Sequence, residues 1–325
     1  MTSKNCFMYL IVTILIISVL SACGNSNEGQ STSTSAPSPS AQSESADTAS
    51  NDDGYRLLTD ALGNEVKVPN HPQRIIASFL EDPLTALGMK PVAQWGYKGA
   101  PQHYLQDKLG DVPVLNVDGG LKSEETLSYN PDLIIFLSPS YLRNGDYEQF
   151  AKIAPTFVLS DNDSDWRGNL QKLGALLGKE DAANQALADY DKKLSDAKKQ
   201  LGGTLTDKTA ILLQGGDEKG YNLFGPGFFG GAMLYDAFGF KAPSLINGSY
   251  ETYSLETLPQ LKDVDYIFVL SGEGRAKPPE NNPLWQELPA VKSGHVFAVD
   301  SGHWFNANPI ANGLVIDDIV RYIHE

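Results

Sequence analysis

The chain has 325 residues, with 40 Asp and Glu against 25 Lys and Arg and a formal net charge of −15 at pH 7. A negative field of that size opposes nucleic acid and opposes docking on anionic lipid by charge. The two cysteines, Cys6 and Cys23, both sit near the N-terminus, so the body that follows has no disulfide, thiol nucleophile or cysteine metal site.

Residues 7–20, FMYLIVTILIISVL, form an apolar run behind a short segment whose one charge is Lys4. That order is the order of an export signal, and the run is shorter than the roughly 20 apolar residues a spanning helix needs. It ends in Leu20-Ser21-Ala22-Cys23, small residues before a cysteine, as in a lipobox whose cysteine takes lipid and becomes the new N-terminus. Residues 1–22 are read as a lipoprotein signal peptide; a signal-anchor helix with an incidental cysteine is the alternative. Residues 23–53 are then the lipidated Cys23 and a Ser/Thr/Pro-rich tether. Between 24 and 53 there is no Val, Ile, Leu, Met, Phe, Trp, Tyr, Lys or Arg, so no apolar burial offsets the entropy of ordering this stretch. Lipid, tether and body together predict a protein held at the extracytoplasmic face of the cell membrane through its lipid anchor only. The long Ser-rich spacer favours an envelope of the Gram-positive type.

The body alternates strand and helix patterns. Short apolar runs at 74–79 (RIIASF), 91–95 (PVAQW), 113–117 (PVLNV), 132–137 (DLIIFL) and 156–160 (TFVLS) read as strands, and 82–88 (DPLTALG) as a helix closed by Gly88. From Asp181 to Leu201 no Gly or Pro intervenes. Ala183, Leu187, Tyr190, Leu194, Ala197 and Leu201 recur every three or four positions, which predicts a long amphipathic helix stopped by Gly202-Gly203. The alternation then resumes. AILLQ (210–214), DYIFVLS (265–271) and HVFAVD (295–300) read as strands; 230–240, 254–261 (with Ser254 as cap) and 309–325 read as helices. The organisation predicted is an N-terminal lobe at 54–180, a connecting helix at 181–202 and a C-terminal lobe at 203–325, with mainly parallel sheets covered on both faces.

Enzyme signatures do not emerge. The chain contains no GxSxG, no HExxH and no phosphate-loop pattern, and its five histidines show no ligand spacing. An exported hydrolase is kept only as a distant alternative.

Six pieces in order carry a resemblance: HPQRIIAS with DPLTALGMKPVA, SEETLSYNPDLIIF, GGAMLYDAFGFKAP, YSLETLPQLKDVDYIFVL, and SGHVFAVDSGHWFNANPIANGLVIDDI. Over about residues 60–325 the chain resembles the iron–siderophore (FhuD/FeuA-like) substrate-binding lipoproteins of ABC importers, in the helical-backbone class of periplasmic binding proteins. The resemblance implies an α/β fold of two Rossmann-like lobes joined by one long rigid α-helix. It implies capture of a ferric siderophore in the cleft and delivery to an ABC permease dimer, by a monomer with no catalysis, no cofactor and no directly bound metal. Haem, cobalamin or another metal chelate are alternative ligands within the same fold.

The resemblance also implies roles. Glu124 and Glu256, at equivalent places in the two lobes, are expected to meet permease arginines, which can hold carboxylates bidentately. Loops after strands should line the pocket: Trp95, Tyr97 and Lys98, then Tyr141 and Arg143, then Trp166 and Arg167 in the first lobe. In the second lobe they are Phe228, Phe229, Arg275 and Trp304. Aromatic rings suit the organic scaffold of a siderophore, and Arg or Lys suit the oxygens around its iron. Hydroxamate binders of this family often carry an arginine just before the Gly-Gly of this helix; here the position is Phe229. That departure leaves Arg275 as the cationic donor expected in the second lobe, which argues against citrate-type carboxylates, whose burial needs counter-charge, and puts hydroxamate or mixed ligands ahead with catecholates next.

Overall fold

A computed structural model describes residues 54–142, 146–216 and 220–324. The signal peptide, Cys23, the tether and Arg143 lie outside the described residues.

The first lobe opens with an antiparallel hairpin of β1 (Tyr55–Thr59) and β2 (Glu65–Pro69). In β2 the side chains alternate, Val66 and Val68 inward and Glu65 and Lys67 outward, as a pleat with one buried face requires. Two small sheets follow. β3 (Ile75–Ile76), β7 (Leu133–Phe136) and β8 (Thr156–Val158) run parallel in the order β3-β7-β8. β4 (Gln94–Tyr97), β5 (Ala100–Pro101) and β6 (Val114–Asn116) form the other, with β4 parallel to β6 and antiparallel to β5. All four residues of β7 are buried, which explains its unbroken apolar run.

The second lobe is one five-stranded sheet, order β11-β10-β9-β12-β13. Its strands are β9 (Ala210–Gly215), β10 (Gly220–Phe224), β11 (Tyr250–Ser254), β12 (Tyr266–Ser271) and β13 (Val296–Asp300). β9, β12 and β13 are parallel, whereas β10 and β11 add an antiparallel edge that the sequence reading lacks. Ser254 ends β11 and makes no side-chain cap; the segment after it is a 3-10 helix, Leu255–Leu261, with Pro259 inside. The segment expected as one helix at 230–240 is a short α-turn followed by a π-helical turn, Met233–Phe238, closed by Gly239 at φ 82°.

The connecting helix spans Glu180–Leu201, 22 residues or about 33 Å at the α-helical rise. Ala183 near its start is buried in the first lobe's core with Leu173 and Leu177. Tyr190, Ala197 and Leu201 are buried in the second lobe's core with Leu212, Phe268 and Val315. One helix thus belongs to both cores.

A second strut crosses between lobes. Asp82, in the first helix (Glu81–Ala86), has no exposed surface. Its Oδ1 accepts from the Ile310 N–H at 3.0 Å, and its Oδ2 from the Ala311 N–H at 2.9 Å and the Tyr104 hydroxyl at 2.9 Å. Those amides belong to the first turn of the C-terminal helix, Pro309–His324, which has no intrahelical acceptor for them. Burial still dominates, raising Asp82 from its ordinary 3.8 to about 6, and Glu81 beside it from 4.5 to about 7.

The sign of the pH effect follows. Between about pH 4 and 7 the folded chain keeps protons on Glu81 and Asp82 that the unfolded chain has released. Their contribution to stability is therefore fully present below pH 4 and is lost as pH rises through about 7. Urea denaturation of Glu81→Gln against the parent should show the difference between them growing across this window. Asp82→Ala, which strands three donors, should lose about 2–4 kcal/mol, and Asp82→Asn less, because one acceptor oxygen stays.

Candidate functional site

A cavity of about 970 Å³ opens between the lobes. Its first-lobe wall is aromatic. Phe79 touches Trp95 with ring centroids 5.5 Å apart and Tyr141 at 4.7 Å; Tyr97 and Trp166 extend the same wall. Facing them, Phe229 packs on Phe305 at 4.5 Å, and the Arg275 guanidinium lies 4.7 Å over the Phe305 ring.

Two of these rings are held in unusual backbone. Phe79 has φ 72° and Phe229 φ 47°, a region costly for bulky residues that recurs at binding and active sites. Both occupy the turn between a strand and a helix start. At Phe229 the cause is visible in the next two residues. A Cβ on Gly230 would meet Trp304 Cε3 at 2.7 Å, and one on Gly231 would meet the Gly225 carbonyl at 2.3 Å. The glycine pair lets this helix start sit on Trp304, and the turn leading into it presents Phe229 to the cavity.

Arg275 is half-buried, and one of its nitrogens donates to Gln214 Oε1 at 3.2 Å. Burial pulls its pKa below the ordinary value, the signature of a guanidinium short of counter-charge. Gln102 and Asn169 also line the cavity. They are 9% and 5% exposed, and each keeps a side-chain oxygen with no hydrogen-bond partner; the Trp95 indole nitrogen is likewise buried without one. Among the described residues no three His, Cys, Asp or Glu side chains converge to hold a metal ion.

The structure separates the expected pocket residues. Trp95, Tyr97, Tyr141, Trp166, Phe229 and Arg275 line the cavity. Four others do not. Trp304 is fully buried, stacks on Phe268 at 5.1 Å and donates from Nε1 to Asp318 Oδ2 at 2.8 Å. Its neighbour Phe305 takes the cavity position instead. Phe228 stands behind the wall, against Phe229 at 4.4 Å and Phe224 at 5.9 Å. Arg167 is ion-paired to Asp191 on the connecting helix and stacks 5.0 Å from both Trp166 and Tyr190, so it braces Trp166 from outside. Lys98 is exposed, 5.3 Å over the ring of cavity-lining Tyr97, and does not itself line the cavity. Phe79 was missed because RIIASF reads as a strand through Phe79, whereas β3 stops at Ile76. Gln102 and Asn169 carry no sequence signal at all. Glu124, in the first turn of Ser123–Ser128, and Glu256, at the start of Leu255–Leu261, are both exposed.

Residues 81–302, well over half the chain, match the family described as periplasmic binding protein. The chain belongs to this family. Among its relatives is the probable siderophore-binding lipoprotein YfiY of Bacillus subtilis, 30% identical over 98% of each chain. Another is the iron(3+)-hydroxamate-binding protein FhuD of the same organism, 31% identical over 92% of this chain and 91% of the relative. In structure this binding protein is similar to FhuD2 from Staphylococcus aureus solved with bound ferrioxamine B. The TM-score is 0.64 at 26% identity, covering 77% of this chain and 98% of that one.

The tryptophans test the placement without a ligand. Trp285 and Trp304 are 3% and 0% exposed, whereas Trp95 and Trp166 line the cavity. Acrylamide should quench only part of the emission. The double variant Trp95→Phe/Trp166→Phe should abolish the quenchable part, and Trp304→Phe should leave it intact while costing about 1–3 kcal/mol in denaturation.

Proposed function

We propose that this binding protein captures a ferric siderophore in the inter-lobe cavity, with hydroxamate or mixed hydroxamate ligands favoured, and delivers it to an ABC permease dimer. One observation carries the reading: a cavity of about 970 Å³ with aromatic walls on both lobes and a guanidinium set into one of them. Flat rings exclude water around an organic chelate, and Arg275 keeps donors for the electron-rich oxygens at the iron. Phe229 stands where an arginine would strengthen a pocket for carboxylate arms, which favours ligands that bring less negative charge. The named relatives, an iron(3+)-hydroxamate-binding protein and a siderophore-binding lipoprotein, agree with this class.

The protein works as a carrier and not as an enzyme, with no resident cofactor, as a monomer. Cys23 is its lipid anchor on the extracytoplasmic face of the cell membrane, and the tether that follows reaches about 30 Å as a random coil. Among the described residues no helix is long and apolar enough to cross a membrane. The anchor keeps the carrier concentrated near its permease without entering the ligand chemistry. Glu124 and Glu256 supply exposed carboxylates, one per lobe, for arginines of the permease.

Tryptophan fluorescence should fall saturably on titration with a ferric hydroxamate, and Arg275→Ala should weaken the affinity by about tenfold or more, the worth of a charge-assisted hydrogen bond. No quenching by ferric hydroxamates, catecholates or carboxylates would overturn the reading. In cells, Glu124→Ala/Glu256→Ala should lower uptake of ferric siderophore while leaving the measured affinity unchanged. Loss of affinity in that variant would remove the two glutamates from the docking role.

A further inference from the structure

The hairpin that opens the first lobe commits one face to the fold and shows the other to solvent. Leu58, Val66 and Val68 pack on the first lobe's core. The Arg56 guanidinium donates to the Leu176 carbonyl at 2.7 Å and the Ala175 carbonyl at 3.3 Å, at the far end of the helix Trp166–Leu177. Trp166 at the start of that helix lines the cavity, so the hairpin is held about 15 Å down the helix from it. The outer face carries Tyr55, Leu57 and Thr59, paired across the ladder with Pro69, Lys67 and Glu65. Tyr55 is 47% exposed and Leu57 53%, and Leu62 in the turn between the strands is 46% exposed. Single exposed apolar side chains need no explanation, whereas several on one hairpin mark a contact surface. Tyr55 also stands where residues 23–53 join the body. The hairpin itself is neutral on a chain of −15, with Arg56 and Lys67 against Glu65 and the buried Asp60. Asp52 and Asp53 precede it, so a contact at this face is apolar rather than electrostatic.

We infer that the outer face of this hairpin rests on the surface of the bilayer, with Tyr55 and Leu57 in its interfacial region. The inference rests on the lipid anchor proposed at Cys23 and extends it from a tether to an orientation. Tyrosine settles at a membrane interface because its ring is apolar and its hydroxyl stays wet, and leucine adds apolar burial. Two or three such side chains bind a free protein too weakly to hold it at a membrane. On an anchored protein the same contact is intramolecular. With a reach of about 30 Å the hairpin meets the bilayer at an effective concentration on the order of millimolar, where a weak contact is well populated. Of the occupants this face can take, the bilayer is the one that the anchor itself delivers to it. Contact at the far end of the helix keeps the cavity clear of lipid while the carrier waits for its ligand.

The test uses the mature lipoprotein in phosphatidylcholine vesicles. With Cys23 blocked by lipid, a cysteine introduced on the surface takes a fluorescent label at one place. Labels at Leu57→Cys and Thr59→Cys should lose emission when part of the lipid carries a nitroxide near its headgroup. Labels at Leu127→Cys and Leu284→Cys, exposed leucines outside the hairpin, should keep theirs. In Tyr55→Ser/Leu57→Ser the Thr59→Cys label should no longer be quenched, an outcome that a label drawing itself into lipid would not give. Both serine substitutions replace exposed side chains, so the melting curve should be unchanged. The mass of the protein is read first: absence of a diacylglyceryl group on Cys23 would overturn the anchor and this inference with it. With the lipid in place, quenching no greater at Leu57 and Thr59 than at Leu127 and Leu284 would overturn the hairpin contact alone. A dimer in detergent that Tyr55→Ser/Leu57→Ser breaks apart would overturn it too, by assigning the face to a second copy of the chain.

Discussion

The connecting helix is shared by two hydrophobic cores, and most of the molecule's behaviour follows from that. Ala183 is packed among leucines of the first lobe, and Tyr190, Ala197 and Leu201 among aromatic and aliphatic residues of the second. A hinge would need a stretch of chain free to change its backbone angles. Here the link is six turns of α-helix whose buried residues would lose apolar burial if the lobes swung apart. Asp82 adds a contact far from the helix in sequence, clamping the first turn of the C-terminal helix to the first lobe. With two struts in place the cavity walls are positioned before any ligand arrives, and binding need not fund a large rearrangement.

Rigidity extends to the rings that line the cavity. Trp166 sits against Tyr190 at 5.0 Å and is covered from outside by Arg167, which is itself tied to Asp191 on the connecting helix. On the other side the Gly230-Gly231 pair rests on buried Trp304, and Trp304 is fixed by Asp318. Burial opposes ionisation of Asp318, yet hydrogen bonds from His303 and Trp304, with the nearby charges of His303 and Arg321, hold its pKa below the ordinary value. The charged groups of the second lobe near the cavity thus fall into two sets. One set is spent on locking the scaffold, and Arg275, over the Phe305 ring, lines the cavity.

How much of this is legible in the sequence depends on the range of the interaction. The connecting helix is readable because its periodicity is local and uninterrupted, and β7 because a strand buried on both faces must be apolar throughout. β11 is not, since YETYS at a sheet edge has no fully buried residue and nothing local marks it as a strand. Adjacent aromatics are harder still. Trp304 and Phe305 are equivalent in sequence, and only Asp318, a turn or more along a different helix, decides that the indole goes inward and the phenyl ring outward. Arg167 reads as a pocket cation until Asp191, on the helix that follows, is brought beside it. Aromatic content near strand ends therefore predicts that a site exists, while the partners that claim individual side chains are set by tertiary contacts.

The division between aromatic walls and polar groups bears on selectivity. Rings reward any flat or apolar ligand of the right size, and they distinguish poorly among chelates that differ in charge. A carrier that must take up a metal complex and then release it gains from walls that bind without making many directional bonds. Discrimination then has to come from the few polar atoms, whose pairing is costly to leave undone when they are buried and cheap when they are wet. Gln102, Asn169 and Arg275 belong to the first kind; Asp163, Glu273 and Asp300 belong to the second. Within the buried set Arg275 lies over the Phe305 ring at the cavity wall, whereas the free oxygens of Gln102 and Asn169 have no accessible surface.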